Sequence, residues 1–195
     1  MTENTFLIVG LGNPGREYRD NRHNVGFMLI DRLSVRLNAR LTRVQAKALV
    51  GPVNYEGNKL ILAKPQTYMN LSGQSIQGLA RFYKVPLENM IVAHDDLDLP
   101  FGSIRIRPGG GPGGQKGVAS TIERLGTKDF RRLRIGIGRP PGRMDPSAYV
   151  LQNFAQSDSI LLSEILDRAA EAALTFVTNG LDAAMNKFNG EIQTN

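Results

Sequence analysis

A short apolar run that ends in glycine, Phe6-Leu7-Ile8-Val9-Gly10, most constrains what this chain can fold into. Consecutive apolar residues closed by a glycine predict a strand that is buried on both faces of a sheet. The polar loop that follows contains Asn13 and His23, and apolar residues return at Val25. Because loops at strand ends carry the sites of open α/β sheets, we expect a functional site in this loop.

The residues from Gly10 to Gly15 also match the glycine pattern G-x-G-x-x-G of dinucleotide-binding proteins. That pattern requires a helix to begin at its second or third glycine. Residues 16–22 have no apolar residues at helical spacing, and the acidic residue expected about 20 positions further on would be Asp31, inside a predicted helix. The sequence therefore disfavours nicotinamide or flavin binding.

Strand-like and helix-like segments alternate along the rest of the chain. Apolar spacing predicts one helix capped by Asn24, one capped by Ser72, and others at 118–125 and from residue 157 or 158. It also predicts strands at 90–93, 103–107 and 133–138, and a hairpin at 46–64. The predicted fold class is α/β, with a mixed, mostly parallel twisted sheet surrounded by helices. We expect one domain at 1–190 and a flexible C-terminal tail at 191–195.

Composition excludes several classes of chemistry. The 195 residues include no cysteine and two histidines, which excludes disulfides and thiolate nucleophiles and leaves little for a metal cluster. No apolar stretch approaches the ~18 residues that cross a bilayer, and the N-terminus lacks a signal-peptide pattern. We therefore expect a soluble, cytoplasmic protein without a metal, a cofactor or a membrane partner.

Positive charge is concentrated in residues 101–143, which hold ten Lys and Arg against only Glu123 and Asp129. Since the whole chain has a formal net charge of +6, this region carries all of the positive excess. Strict alternation within it puts Arg105 and Arg107 on the same face of a strand. Such a region indicates either a phosphate-binding surface or a solvated basic surface.

Three polar loops that follow predicted strands supply Asn13 and His23, then Met69 and Asn70, and finally Asp95. Histidine can take a proton from water near neutral pH, and a carboxylate on its other nitrogen fixes the tautomer and stabilises the imidazolium. The amides of Asn13 and Asn70 can hold a carbonyl group or the attacking water. If the loops meet, the pattern predicts hydrolysis without a covalent nucleophile.

The same residues also have structural interpretations. A histidine before a helix often caps that helix or meets solvent, an aspartate such as Asp95 often solvates a strand end, and Met69 is a common kind of core residue. His94 should point to the face of its strand opposite Asp95, which favours a structural role for it.

Five segments, in this order and across nearly the whole chain, resemble bacterial peptidyl-tRNA hydrolases: VGLGNPGREY, RHNVGF, KPQTYMNLSG, HDDLDLPFG and RRLRIGIGRP. The resemblance implies a monomeric, metal-free esterase that cuts the ester between a peptide and the 3′ end of tRNA. Its partner would be peptidyl-tRNA, and its role would be to recycle tRNA after stalled or aborted translation. A mixed sheet surrounded by helices is implied as well.

The resemblance also implies roles for individual residues. It makes His23 the catalytic base, Asp95 the aspartate that keeps it basic, and Asn13 the residue that helps to distinguish N-blocked substrates. Contacts to the peptide and the terminal nucleotide would come from Tyr18, Tyr68, Met69 and Asn70. Contacts to tRNA phosphates would come from Arg105, Arg107 and Arg134.

One segment departs from the pattern of this family. Where the family usually has Gly-Gly-His-Asn-Gly, the chain has Gly113-Gly114-Gln115-Lys116-Gly117. Lys116 thus replaces an asparagine that contacts substrate. A lysine keeps hydrogen-bond donors and adds a charge, but it cannot accept a hydrogen bond. We retain Lys116 as a candidate substrate-binding residue, although the family's interaction there does not carry over.

A binding protein is the alternative to an enzyme. The fold implied by the resemblance is also similar to that of a chloroplast group II intron splicing factor, which holds RNA-processing partners and cleaves no ester. The presence of both His23 and Asp95 favours the hydrolase.

Overall fold

The strand β1 (Thr5–Gly10) lies inside an eight-stranded sheet in the computed structural model, which describes residues 4–191. Its side chains alternate between two cores. Phe6 and Ile8 pack on one face of the sheet, and Leu7 and Val9 pack on the other. The uninterrupted apolar run of β1 follows from this position, because both of its faces are covered.

The described part of the chain forms seven further strands and six helices. The strands are β2 (Arg43–Gln45), β3 (Ala48–Tyr55), β4 (Asn58–Pro65), β5 (Met90–Asp96), β6 (Ser103–Arg107), β7 (Arg131–Gly136) and β8 (Gly190–Glu191). The helices are α1 (Val25–Arg36), α2 (Ser72–Phe82), α3 (Lys116–Leu125), α4 (Pro146–Val150), α5 (Ser159–Asn179) and α6 (Leu181–Phe188).

The strand order of the sheet is β2-β3-β4-β1-β5-β7-β6-β8. The four central strands, β4, β1, β5 and β7, run parallel to their neighbours in this group. The outer strands pair antiparallel: β2 with β3, β3 with β4, and β6 with both β7 and β8. The predicted mixed sheet is confirmed, but parallel pairing is confined to its centre because the hairpin and the edge strands all turn back on their neighbours.

Helices cover both faces of the sheet, as predicted. One core contains residues of α1, α5 and α6, and the other contains residues of α2 and α3. In residues 4–191 no helix combines the length and the apolar character needed to cross a membrane.

The remaining differences from the sequence analysis are local. Ser72 begins α2 without capping it, since its hydroxyl donates to the carbonyl of Met69 at 2.8 Å. No sequence pattern predicted α4, α6 or the three-residue strand β2. Of the predicted tail at 191–195, Glu191 belongs to β8, and 192–195 lie outside the described residues.

Two glycines allow α1 to contact the ends of β1 and β5. A Cβ on Gly10 would lie 2.0 Å from the carbonyl oxygen of Gly26. A Cβ on Gly26 would lie 2.5 Å from the amide nitrogen of Leu11 and 2.6 Å from the carbonyl oxygen of Ala93. Any side chain at either position would therefore push α1 away from the ends of both strands.

We expect Gly26→Ala to lower the free energy of unfolding by roughly 3 kcal/mol, because overpacking outweighs the gain of ~1 kcal/mol in helix propensity. Equilibrium unfolding in urea measures this change. Gly111→Ala is the matched control, since its Cβ would meet nothing within 4 Å, and it should change stability by less than about 0.5 kcal/mol. A Gly26→Ala protein as stable as the wild type would contradict the close contact.

Candidate active site

A cavity of about 340 Å³ opens where the carboxyl ends of β1, β4 and β5 meet the start of α3. Segments that are distant in the chain contribute to its lining. The residues predicted for the site that line it are Asn13, His23, Tyr68, Met69, Asn70, Asp95 and Lys116. The polar loops identified in the sequence therefore do converge.

The side chains of His23 and Asp95 form a hydrogen bond inside this cavity. The Nδ1 atom of His23 lies 2.8 Å from the Oδ2 atom of Asp95, and the two residues are only 9% and 3% exposed. A carboxylate accepts but does not donate, so it places the imidazole proton on Nδ1 and leaves a lone pair on Nε2. The arrangement can act as a general base whose orientation is fixed.

Asn13 is held by two neighbouring segments. Its backbone amide donates to Oδ1 of Asn24, and its carbonyl accepts from Nδ2 of Asn24, both at 2.9 Å. Its side-chain Oδ1 accepts the backbone amide of Met69 at 2.7 Å. Because that amide can only donate, the Asn13 oxygen must face it, and the Nδ2 group remains for the cavity.

Asn24 thus has a role that the sequence analysis missed. Its place directly before α1 predicted that it caps this helix, but its side chain makes no capping hydrogen bond. It is 1% exposed and holds the Asn13 loop instead. Nothing in the local sequence distinguishes the two roles, since an asparagine before a helix is a frequent cap.

Gln115, at the departure from the family pattern, contacts the catalytic candidates directly. Its Nε2 atom donates to Oδ1 of Asp95 at 3.0 Å and lies 3.2 Å from the sulfur of Met69. Its Oε1 atom accepts the backbone amide of Val118 at 2.8 Å and so caps α3. Asp95 therefore has a donor on each of its oxygens, one from His23 and one from Gln115.

These observations agree with the comparison to known proteins. Residues 7–195 match the model of the family described as peptidyl-tRNA hydrolase. The chain belongs to that family. The resemblance noted in the sequence is thereby confirmed.

Peptidyl-tRNA hydrolases of two bacteria are each 49% identical to the chain. The protein of Thermoanaerobacter sp. (strain X514) aligns over 95% of this chain and 100% of its own length. That of Mycobacterium tuberculosis (strain ATCC 25177 / H37Ra) aligns over 93% and 96%. The crystal structure of peptidyl-tRNA hydrolase from Acinetobacter baumannii superposes with a TM-score of 0.90 at 36% identity, covering 98% of this chain and 97% of the other.

Other residues assigned through the resemblance to peptidyl-tRNA hydrolases lie outside the cavity. Tyr18 is half-buried in a 3-10 turn, Arg16–Tyr18, and does not line the cavity, so the substrate contact expected from it stays a prediction. Arg105 and Arg134 are opposite each other on β6 and β7. Arg107 is exposed and lies two residues further along β6. The Nε atom of Arg134 already pairs with Oδ2 of Asp96 at 2.6 Å.

Arg132 belongs to the basic region of this hydrolase but not to its surface. It is 3% exposed, and its guanidinium donates to the carbonyls of Gly110, of Gly111 at 2.6 Å and of Lys128 at 3.1 Å. Burial, with a smaller effect from the charge of Arg134, lowers the pKa of Arg132 to about 10. Arg132 therefore stays charged at neutral pH and anchors the glycine-rich loop that precedes Gln115.

Part of the cavity wall comes from α4, which was not predicted from the sequence. Pro146, Ser147 and Val150 line the cavity together with the exposed Leu151. The pair Asp145-Pro146 was the available signal, since proline is favoured in the first turn of a helix. In the part of the chain that the structure describes, no group of three or more His, Asp or Glu could hold a metal ion.

His94 adjoins Asp95 in sequence but has no place in the cavity lining. It is 4% exposed, its Nδ1 lies 2.8 Å from the carbonyl oxygen of Asp95, and its Nε2 is buried without a partner among the described residues. Burial lowers the pKa of His94 below its ordinary value of 6.5, against the smaller effects of Asp95 and Asp96. The imidazole is thus neutral in the folded protein at neutral pH.

Because the folded state binds the His94 proton more weakly than the unfolded state, stability should fall as the pH drops below about 6.5. The expected loss from this one group is at most about 1.4 kcal/mol per pH unit. The contribution of His94 is measured by urea unfolding of the wild type and of His94→Gln between pH 7.5 and 5. The variant should show the shallower decline, and identical slopes would contradict the prediction.

Proposed function

We propose that this protein hydrolyses the ester between a peptide, or an N-blocked amino acid, and the 3′ end of tRNA. The observation that carries the proposal is the 2.8 Å hydrogen bond between His23 and Asp95 in the cavity of a chain that belongs to the peptidyl-tRNA hydrolase family. The protein works as a cytoplasmic monomer without a metal or a cofactor. It returns tRNA to use from peptidyl-tRNA released in translation.

In the proposed reaction, Nε2 of His23 removes a proton from water as the water oxygen attacks the ester carbonyl. The buried carboxylate of Asp95 stabilises the imidazolium that forms. The tetrahedral intermediate then collapses, the bond from carbonyl carbon to ribose oxygen breaks, and the imidazolium returns its proton to that oxygen. The products are a peptide carboxylate and tRNA with a free 3′ terminus.

The amide groups of Asn13 and Asn70 bind the polar atoms around the reacting carbonyl. The Nδ2 group of Asn13 is a donor fixed by the bond from Met69, so it can hold the carbonyl oxygen or the peptide group next to it. Tyr68, which is 60% exposed, and Lys116 stand at the cavity rim, where the terminal nucleotide would enter. An aromatic ring can stack on a base, and an ammonium group can meet a phosphate.

The body of the tRNA binds through Arg105, Arg107 and Arg134 on the adjoining strands. The strand β7 ends on the cavity side of the sheet, where Asp96 both lines the cavity and pairs with Arg134. A cationic surface continuous with the cavity suits a substrate whose reacting end is joined to a phosphate backbone.

The alternative of a non-catalytic RNA-processing factor has less support. A binding protein has no need of a buried imidazole and carboxylate in hydrogen-bond contact. Burying and ordering both groups is costly unless the pair has a function.

His23→Ala should lower kcat on an N-acetyl-aminoacyl-tRNA by about 10²- to 10⁴-fold, since the general base is lost. Asp95→Asn should lower kcat with little change in KM, because it removes the negative charge that stabilises the imidazolium. Release of the acyl group is followed under single-turnover and steady-state conditions. Wild-type rates in His23→Ala would remove His23 from the mechanism, and no release by the wild type would favour the binding protein.

Arg105→Ala and Arg107→Ala should each raise KM and reduce the slope of log KM against log salt concentration by about one per lost phosphate contact. The measurement is the KM for N-acetyl-aminoacyl-tRNA between low and moderate salt. Arg43→Ala is the control, because Arg43 is an exposed cation on β2 at the other end of the sheet. An unchanged slope in both variants, or an equal change in Arg43→Ala, would contradict the proposed surface.

A further inference from the structure

Gln115 is buried against the catalytic pair and bonds on both sides of its amide group. We propose that Gln115 is a positioning residue for the hydrolysis: it holds the carboxylate of Asp95 in the orientation that serves His23, and it ties that carboxylate to the start of α3. This inference rests on the proposed function, because it assigns Gln115 a part in the same reaction.

The orientation of the Gln115 amide follows from its two partners. The backbone amide of Val118 can only donate, so it requires the oxygen Oε1, which lies 2.8 Å away. The carboxylate of Asp95 can only accept, so it requires the nitrogen Nε2, at 3.0 Å. Both contacts select the same arrangement, and a flipped amide would lose both hydrogen bonds.

The two contacts fix the carboxylate of Asp95 because each of its oxygens then has one donor. Oδ2 faces Nδ1 of His23 at 2.8 Å, and Oδ1 faces Nε2 of Gln115. At 3% exposure, Asp95 has little access to water, so protein donors must satisfy it. Rotation of the carboxylate away from His23 would break the bond to Gln115 as well.

The neutral amide is well suited to this position. A lysine or arginine here would compete with the imidazolium for the negative charge of Asp95, and a carboxylate would repel it. The charged groups nearby are directed elsewhere. Asp96 pairs with Arg134, and Lys116 is exposed at the cavity rim. His94 approaches only the backbone carbonyl of Asp95, and Arg132 is bound to carbonyls of the glycine-rich loop.

The loop that carries Gln115 is itself fixed from behind. The guanidinium of Arg132 donates to the carbonyls of Gly110 and Gly111. The backbone amide of Gln115 donates to the carbonyl of Pro112 at 3.0 Å. Gln115 is 8% exposed, so its side chain is packed in one place. A shift of α3 would therefore move the side chain that holds the carboxylate of Asp95.

The variant Gln115→Asn distinguishes a positioning role of Gln115 from a role in the stability of the fold. Asparagine is a favoured helix N-cap, so α3 should keep its cap and the melting temperature should stay close to that of the wild type. Its amide is one methylene shorter and cannot reach Asp95 while capping α3. We expect kcat to fall about tenfold with KM unchanged, the effect of losing one hydrogen bond to a charged group.

Gln115→Glu tests the charge. A glutamate keeps the acceptor that caps α3 but replaces the donor facing Asp95 with a second negative charge. That charge favours the protonated imidazole of His23, and the base must be unprotonated to act. The acid limb of the kcat/KM profile should therefore move to higher pH by roughly one unit. The position of this limb therefore reports whether the side chain at position 115 faces the pair formed by His23 and Asp95.

Gln115→His completes the set, because a ring N–H can again donate to Asp95. It should recover kcat relative to Gln115→Asn. The inference is overturned if Gln115→Asn keeps the wild-type kcat, if the acid limb of Gln115→Glu does not move, or if Gln115→His is no better than Gln115→Asn. His23→Ala is measured alongside. If His23→Ala remains fully active, the proposed function fails. If His23→Ala loses activity while the Gln115 variants behave as the wild type, only the role of Gln115 is refuted.

Discussion

The backbone contact between Gly26 and the end of β1 determines where every other part of the site can lie. It places the first turn of α1 against Leu11 and the carbonyl of Ala93, two residues before Asp95. His23 belongs to the 3-10 turn Arg22–Asn24 directly before α1, so the same contact brings its imidazole to the carboxylate. From the other side, the guanidinium of Arg22 lies 4.3 Å from the ring centre of Tyr149 and holds the turn in place.

Around this contact, uncharged amide groups hold the side chains of the cavity in position. Asn24 holds the Asn13 loop, Asn13 holds the backbone of Met69, and Gln115 holds Asp95. Amides can donate and accept at once without adding charge, so they satisfy buried neighbours while the carboxylate of Asp95 keeps its bond to His23. This chain of contacts joins three loops into one site.

The sequence predicted the features that have a local signature. The apolar run of β1 indicated a doubly covered strand, and the polar loops after predicted strands indicated that His23 and Asp95 could meet in one site. Gln115, Asn24 and the buried Arg132 could not be assigned, because their partners are distant in the chain or are backbone groups exposed only by the fold. Parallel pairing was overestimated because the returning strands at both edges have no sequence period that distinguishes their direction.

The ends of the sheet have a consequence for association between molecules. The outermost strands, β2 and β8, contain only three and two residues, and β2 presents the exposed side chains of Arg43 and Val44. Unpaired backbone at a long sheet edge is a template for another chain, but such short ends, one of them bearing a cation, offer little to pair with. At its β2 edge, the sheet is thus protected from growing into intermolecular β-structure.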